Sequence, residues 1–269
     1  MTVLQIIGRS ATFLAKKGIE NARRMAEEVI ADALCVKRLD LYLQFDRPLD
    51  EAELENCRKV IIRRGEREPS QYIAGQVEFA RVRLKVTSDV LIPRPETEVL
   101  VEMIAKTPLE GRLFDVCTGS GAIAIALKKR FPDLEVVASD LSPKALAVAK
   151  ENALTAGVKI EFVQGDLLEP FVGMCDYLVC NPPYLSEEEY NAVDLEVKHE
   201  PKMALIAGKS GLEIYRRLDL KGIVRKKAWL EIGRGQGEAV KEIFQSKGYQ
   251  CHFESDWSGH DRFFFLEMD

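Results

Sequence analysis

The sequence predicts an α/β protein: a doubly wound, mainly parallel sheet preceded by a small helical domain. Three observations carry this. Over the first 75 residues, apolar side chains recur at three- and four-residue steps, as on the buried face of a helix. From residue 91 onward, short apolar runs around Leu113, Val136, Ile160, Tyr177 and Trp229 alternate with helical or loop segments, the pattern of a parallel sheet. One of these runs, 113–117, passes through Thr118-Gly119-Ser120-Gly121 into the apolar helix opening 122–127. Strand, Gly-rich turn and helix in succession make a ligand cradle, because glycines admit a ligand to the backbone and the helix start offers free N–H groups.

In chain order, Val3, Leu4, Ile7, Thr12 and Leu14 fit an amphipathic first helix. That reading is preferred to a transit peptide, which Arg9, Lys16 and Lys17 with no acid before Glu20 faintly resemble. Residues 21–34 form a second helix. Leu39, Leu41, Tyr42 and Leu43 follow, the chain breaks at Pro48, and Asp50 caps a third helix through Ala52, Leu54, Val60 and Ile61. Arg58, Lys59, Arg63, Arg64 and Arg67 make a basic run, diluted by Glu66 and Glu68, that reads first as a solvated helix face. Residues 77–90 alternate apolar and polar (Phe79, Val82, Leu84, Val86), which predicts a hairpin. At the end, strands 249–255 and 262–267 are joined by a segment too short for a crossover helix. They are expected as an antiparallel pair on the sheet edge.

Composition sets the outer bounds. With 269 residues, 46% of them hydrophobic, the chain can bury a sizeable core in one or two domains. No apolar run approaches the ~20 residues of a membrane span. Cysteines 35, 57, 117, 175, 180 and 251 form no C-x-x-C, and His199, His252 and His260 share no ligand motif, so a reducing cytosol and no metal are expected. The formal charge of −5 disfavours a nucleic-acid partner.

Acids stand at three successive strand ends. Asp115 near the glycine loop would repel a pyrophosphate but suits a cationic ligand with an ammonium group, of which S-adenosylmethionine is one. Asp140 lies 25 residues later, near the ~20-residue offset at which an acid meets ribose hydroxyls in dinucleotide folds. Asp166 follows a third strand and suits an adenine amino group. Singly, each reads as a helix cap or a solvated strand end, and the glycine loop as a tight βα turn. Together, on the edge where open α/β sheets bind ligands, they point to a nucleoside site. The G-x-G-x-x-G of a dehydrogenase is missing.

After the run 177–180 comes Asn181-Pro182-Pro183-Tyr184. Two prolines end a strand, since each removes a ladder donor. The Asn181 oxygen and the Pro182 carbonyl are both acceptors and can grip the two hydrogens of a planar NH2, with the Tyr184 ring packed on its plane. A bare N-P-P-Y also fits an ordinary Pro-rich turn.

These motifs, with Gln71-Tyr72-Ile73-x-Gly75, Leu91-Ile92-Pro93-Arg94-Pro95-Glu96-Thr97-Glu98, Glu200-Pro201-x-x-Ala204-Leu205 and Leu230-Glu231-Ile232-Gly233, resemble the HemK/PrmC family over almost the whole chain. The resemblance implies a seven-stranded, Rossmann-like S-adenosylmethionine methyltransferase fold. It implies a helical substrate-docking domain (1–75), a linking hairpin (76–92) and a catalytic domain (93–269). It implies methylation of the side-chain amide nitrogen (N5) of a glutamine, in the GGQ motif of peptide chain release factors, with S-adenosylhomocysteine as the other product. Asp115, Cys117, Thr118, Gly119, Ser120, Gly121, Asp140, Asp166, Leu167 and Asn181 are then expected at the cofactor. Asn181, Pro182 and Tyr184 are expected to act in catalysis, and Pro183, Arg94, Glu96 and Thr97 to join them at the substrate. A cytoplasmic monomer with no membrane contact follows, and the basic run gains a second reading as a docking surface for a release factor or RNA. Two departures stand out: Cys117 where many members have Gly, and Lys221-Gly222 in place of Pro-Gly-Gly.

The main rival is an amino-group methyltransferase acting on DNA or RNA, since adenine N6 is also a planar NH2. A cofactor-binding scaffold docked on the ribosome is a second. Gly235-Gln236-Gly237 looks like the release-factor substrate motif but, between a strand and a helix, reads as a turn and cap.

Overall fold

The computed structural model describes residues 1–268, which fall into two compact units: residues 1–76 with 194–199, and the remainder. The first unit is helical for local reasons. α1 (Val3–Lys16) starts on a capping box in which the Thr2 hydroxyl accepts the Gln5 N–H and the Gln5 side chain accepts the Thr2 N–H. α2 (Ala22–Ala33) follows, then a 3₁₀ segment, Arg38–Gln44, that brings Leu41 inward. α3 (Glu51–Gly65) repeats the box with Asp50 and Glu53, the cap expected at Asp50, and α4 (Ser70–Ala74) is a single short turn. Val3, Ile7, Leu14, Ile30, Leu41 and Cys57 are buried together as the core of this unit.

The basic run is not one solvated face. Arg63 forks onto Glu68, and Arg64 is buried and pairs with Glu196, which groups with this unit. Arg67 donates to the carbonyls of Lys17 and Gly18. Arg58 and Lys59 remain on the surface, both beside Glu55. Three of the five cations therefore hold the unit together, which corrects the reading of the run as one solvated face.

The second unit opens with a hairpin, β1 (Gln76–Phe79) and β2 (Val82–Lys85). Ala80 and Arg81 between them both have positive φ, 47° and 63°, as a two-residue type I′ turn requires. Strand pairing stops at Lys85, short of the expected Val90, and residues 86–94 run as a loop. The prolines at 93 and 95 carry no N–H for a ladder. Pro95 instead occupies the first turn of α5 (Pro95–Ile104), where its missing donor costs nothing.

Strands and helices then alternate: β3 (Arg112–Val116), α6 (Ala122–Arg130), β4 (Glu135–Asp140), α7 (Pro143–Ala156), β5 (Glu161–Gln164) and β6 (Cys175–Cys180). A small excursion follows, with β7 (Leu185–Ser186), α8 (Glu187–Ala192), β8 (Ile206–Gly208) and α9 (Glu213–Arg217). β9 (Val224–Glu231), α10 (Gly237–Ser246), β10 (Gln250–Ser255) and β11 (Asp261–Glu267) complete the unit. Seven strands form one sheet in the order β10-β11-β9-β6-β3-β4-β5. β11 alone runs antiparallel to both neighbours, so the terminal pair lies at the edge as expected.

Side chains alternate across this sheet. Leu113, Val136, Ala138, Tyr177, Val179 and Trp229 pack with α5 and α6 residues such as Leu100, Ile123 and Leu127. Phe114, Val116, Val137, Leu178 and Leu230 pack with Tyr215 of α9 and with Val240 and Phe244 of α10. The chain runs β3, β4, β5 toward one edge, then returns to place β6 on the other side of β3. Ligands of open α/β sheets bind at such a reversal, beyond the strand carboxyl ends. Val116 of β3 is in register with Cys180 of β6, so Cys117 and Asn181 leave the sheet side by side. No helix among the described residues is long and apolar enough to cross a membrane.

Candidate active site

A cavity of about 290 Å³ lies at this reversal, lined by Cys117, Gly119, Asp140, Asp166, Leu167, Asn181 and Pro183 among others. Beside it is a slot of about 30 Å³ walled by Leu91, Arg94, Pro182, Tyr184, Leu205 and again Asn181. Asn181 thus stands between the two spaces.

The glycine loop divides its residues between cavity and scaffold. Gly119 has φ 56° and open space where a Cβ would stand, so its backbone faces the cavity bare. Cys117 also lines the cavity and holds φ 60°, the left-handed conformation that glycine adopts without steric cost. Thr118, Ser120 and Gly121 point into the scaffold. The Thr118 hydroxyl donates to Asp115 Oδ2 at 2.6 Å, and the Ser120 carbonyl accepts from Asn152 Nδ2. A Cβ on Gly121 would press on Ile125 and Ala149 at 3.1 and 3.2 Å.

Asp115 is fully buried within β3 rather than exposed at its end. Its Oδ2 also accepts the Ala124 N–H, so it ties the loop to the first turn of α6, while Oδ1 is buried without a hydrogen-bond partner. Burial pushes this carboxyl up to about 7. Asp140 lines the cavity and braces its walls: Oδ2 accepts the Gly119 N–H and Oδ1 the Ser142 N–H, each at 2.9 Å. Burial raises its pKa as well. Asp166 pairs with Arg217 at 2.5 Å, and both line the cavity. Its carboxylate is therefore shared with a cation that the sequence did not point to. Leu167 has φ 49°, and its carbonyl lies 3.5 Å from the Ser139 hydroxyl.

The slot is held by residues distant in sequence. Arg94 pairs with Glu200 at 2.5 Å, and the other oxygen of Glu200 accepts the Ile92 N–H at 3.0 Å. One buried carboxylate thereby fixes the 91–94 stretch. Tyr184 is half-buried, and desolvation pushes its hydroxyl up to about 12; the Arg262 guanidinium lies 5.9 Å from its ring centre. The Tyr184 carbonyl accepts from Gln236 Nε2 at 2.8 Å, and Gln236 Oε1 accepts the Gly233 N–H. Gln236 is thus a strut under the N-P-P-Y turn, more than the cap expected of it.

Thr97 does not reach the slot. It is buried in the first turn of α5, and its hydroxyl donates to Glu231 Oε2 at 2.6 Å. Glu96 lies close enough to act on the charges of Glu231 and Tyr184. Asn181 Nδ2 donates to the same Glu231 Oε2 at 3.0 Å and to the Thr97 hydroxyl at 3.3 Å. Glu231, Glu200 and Arg217 are site residues to which sequence reasoning assigned no role, and Gln236 was expected only as a turn and cap. Only Glu231 carried a signal of its own, as a charge in the apolar end of a strand, where burial is costly without partners.

Comparison with known proteins agrees with this geometry. Residues 5–75 match the PrmC N-terminal domain family and residues 95–208 the methyltransferase small domain. The chain is 42% identical to the release factor glutamine methyltransferase of Chlamydia trachomatis serovar L2 over 98% of this chain and 93% of that one. It is 39% identical to the Geobacter sulfurreducens protein of the same name, over 97% and 95%. For Bacillus cereus the identity is 38%, over the full length of both. In fold, the human METTL16 catalytic domain bound to an RNA hairpin superposes with a TM-score of 0.55 at 15% identity, covering 81% of this chain and 80% of that one. A Pyrococcus furiosus methyltransferase gives 0.51 at 16% identity, over 68% and 87%. These two likenesses concern the fold alone. With its full-length relatives and both family domains, the chain belongs to the release factor glutamine methyltransferases and is an enzyme of that family.

Proposed function

We propose that this enzyme moves a methyl group from S-adenosylmethionine to the side-chain amide nitrogen of a glutamine in the GGQ motif of a peptide chain release factor, in the cytoplasm. The observation that carries the reading is the position of Asn181, shared by a nucleoside-sized cavity and a slot fit for one planar group.

The larger cavity suits the cofactor on two counts. Gly119 lets a ligand touch the backbone, and Asp140 offers a carboxylate to hydroxyl donors. Cys117, Leu167 and Pro183 supply apolar walls, and Asp166 lies within the same wall for a polar edge. When bound, S-adenosylmethionine supplies a methyl group on a sulfonium centre. The protein must then aim a weak nucleophile, since an amide lone pair is delocalised into its carbonyl. Asn181 Oδ1 and the Pro182 carbonyl accept the two amide N–H groups and direct the nitrogen across the shared wall. Tyr184 packs on the amide plane, and Arg94, fixed by Glu200, closes the slot. Water is kept from the nitrogen by Leu91, Leu205 and the proline ring. The proton leaves after transfer, when the methylated nitrogen has become acidic, so no strong base is required beforehand.

A nucleic-acid amino group fits less well. The slot of about 30 Å³ matches a small planar group such as a carboxamide. The net charge of −5 points the same way. The test is transfer of labelled methyl to purified release factor, with duplex DNA and ribosomal RNA as competitors and mass spectrometry to place the product. Label on a glutamine amide is expected. Label on nucleic acid alone, or none on the release factor, would overturn the proposal.

A further inference from the structure

Glu231 is 1% exposed at the end of β9, and the hydrogen bonds its side chain accepts from Thr97 and Asn181 come from neutral groups. One oxygen, Oε2, accepts both the Thr97 hydroxyl and the Asn181 amide N–H, while Thr97 Oγ1 accepts from Asn181 in turn. The three side chains form a closed triangle behind the N-P-P-Y turn. A buried carboxylate held by neutral groups is a costly way to fill this space; a glutamine of the same shape would cost less.

The carboxylate does one thing the amide cannot. An ionised carboxylate only accepts hydrogen bonds, so it repels Asn181 Oδ1 and attracts Nδ2. Asn181 is the one slot residue whose two side-chain ends have opposite chemistry and nearly the same shape. Turned one way, it presents an oxygen to the incoming N–H group. Turned by 180° about its last torsion, it presents an NH2 that opposes the substrate NH2.

We propose that Glu231 is a positioning residue, which with Thr97 locks the Asn181 side chain so that Oδ1 faces the slot. The inference rests on the methyl-transfer reading above and adds to it the device that sets the polarity of the acceptor. Glu231 itself lines neither cavity. It acts through Asn181, so its effect must vanish where Asn181 is gone.

The experiment is single-turnover methylation of full-length release factor at saturating cofactor, on Asn181→Ala, Glu231→Ala, Glu231→Gln, Thr97→Val and the double variants combining Asn181→Ala with each Glu231 change. Asn181→Ala should slow transfer ~10²–10³-fold, as loss of one preorganised hydrogen bond does. Glu231→Ala should slow it about 10- to 100-fold, with cofactor affinity within about twofold of wild type. Glu231→Gln should fall between Glu231→Ala and wild type, because its amide oxygen can accept from Asn181 but its NH2 can also face it. Thr97→Val, which leaves the carboxylate in place, should cost less than about fivefold. In the Asn181→Ala background, either Glu231 change should cost less than about threefold more, since residues acting as a unit are not additive. Wild-type turnover in Glu231→Ala, or losses that multiply in the double variant, would overturn the proposal. Should Glu231→Ala fail to fold, the Glu231→Gln pair reads the same coupling. If Asn181→Ala itself keeps wild-type turnover, the methyl-transfer reading fails along with the inference; if only the coupling is missing, that reading stands and the inference alone falls.

Discussion

The two loops that meet at the sheet reversal are built on opposite plans. The glycine loop is held mainly by its own neighbourhood: Asp115 bonds Thr118 three residues on and Ala124 nine residues on, and Asp140 reaches Gly119 across 21. The N-P-P-Y loop is held from afar. Asn181 depends on Glu231 and Thr97, 50 and 84 residues away, Tyr184 on Gln236 at 52, and Arg94 beside it on Glu200 at 106. A cradle for a tightly bound donor can be made from local turns and a helix start. A surface that must present two acceptors to a weak nucleophile needs side chains with fixed polarity, and these come from several elements. In the methyl-transfer reading proposed above, the first loop serves binding and the second the chemical step.

The sharpest way to break it is Asn181. Replacement by Ala should slow the chemical step ~10²–10³-fold. Asn181→Asp keeps an acceptor oxygen, but its second oxygen replaces the Nδ2 that donates to Glu231 Oε2 at 3.0 Å. The two carboxyls must then share a proton, and Asp should retain more activity than Ala only while that proton is held. It should fall short of wild type, because its charge also stabilises the ground-state sulfonium. Rapid-quench methylation of release factor by the three enzymes checks this. Turnover near wild type in Asn181→Ala would reduce N-P-P-Y to a structural turn.

Asp140→Ala attacks the other loop. It removes the acceptor proposed for ribose hydroxyls and frees the Gly119 N–H. Charge-assisted bonds contribute ~1.5–3 kcal/mol, so cofactor affinity should drop roughly ten- to a hundredfold. Calorimetry on the folded variant measures it, and an unchanged Kd would remove Asp140 from the site.

A smaller effect is expected at Gln236→Ala, which removes the strut under the Tyr184 carbonyl. One neutral hydrogen bond contributes ~0.5–1.5 kcal/mol, so kcat should decline roughly two- to tenfold with cofactor Kd unchanged. Equal kcat would show that the prolines alone hold the turn.

Glu231→Gln separates activity from stability. Burial pushes the Glu231 carboxyl up to about 7 from an ordinary 4.5, with Arg94 and Arg262 lowering it and Glu96 raising it. A raised acid pKa means that the folded state holds its proton more tightly than the unfolded chain. Stability is therefore lost as pH rises from 4.5 through 7, and the cost persists above that. The Gln variant escapes it. At pH 8 it should unfold at a higher Tm than wild type, by on the order of 1–3 kcal/mol of stability, with the gap narrowing at pH 5. A Tm difference that does not change with pH would contradict this.

The same contrast explains what was legible in the sequence. The fold was readable because the parallel sheet announces itself in alternating apolar runs, and the terminal hairpin in a linker too short for a crossover. The glycine loop was readable because its partners lie nearby. Reading was poorer wherever the deciding partner was remote. Arg64 sits in a basic run, and nothing local shows that it is buried on Glu196, 132 residues away. Thr97 was assigned to the substrate on resemblance, whereas the structure turns it toward Glu231. Gln236 read as a turn residue because its bond to Tyr184 crosses from one sheet loop to another. Asp115 was read as a ligand for an ammonium group, but one of its oxygens is committed to the loop itself.

The division of labour between the loops is tested most directly by measuring two quantities on the same two variants. Cofactor Kd by calorimetry and the single-turnover rate at saturating cofactor would be determined for Asn181→Ala and Asp140→Ala. A crossed result is expected: Asn181→Ala loses ~10²–10³-fold in rate with little change in Kd, while Asp140→Ala loses roughly ten- to a hundredfold in affinity and recovers most of its rate once saturated. If both variants lose rate and affinity together and in proportion, the loops form one undivided site, and the separate roles given to Asn181 and Asp140 are wrong.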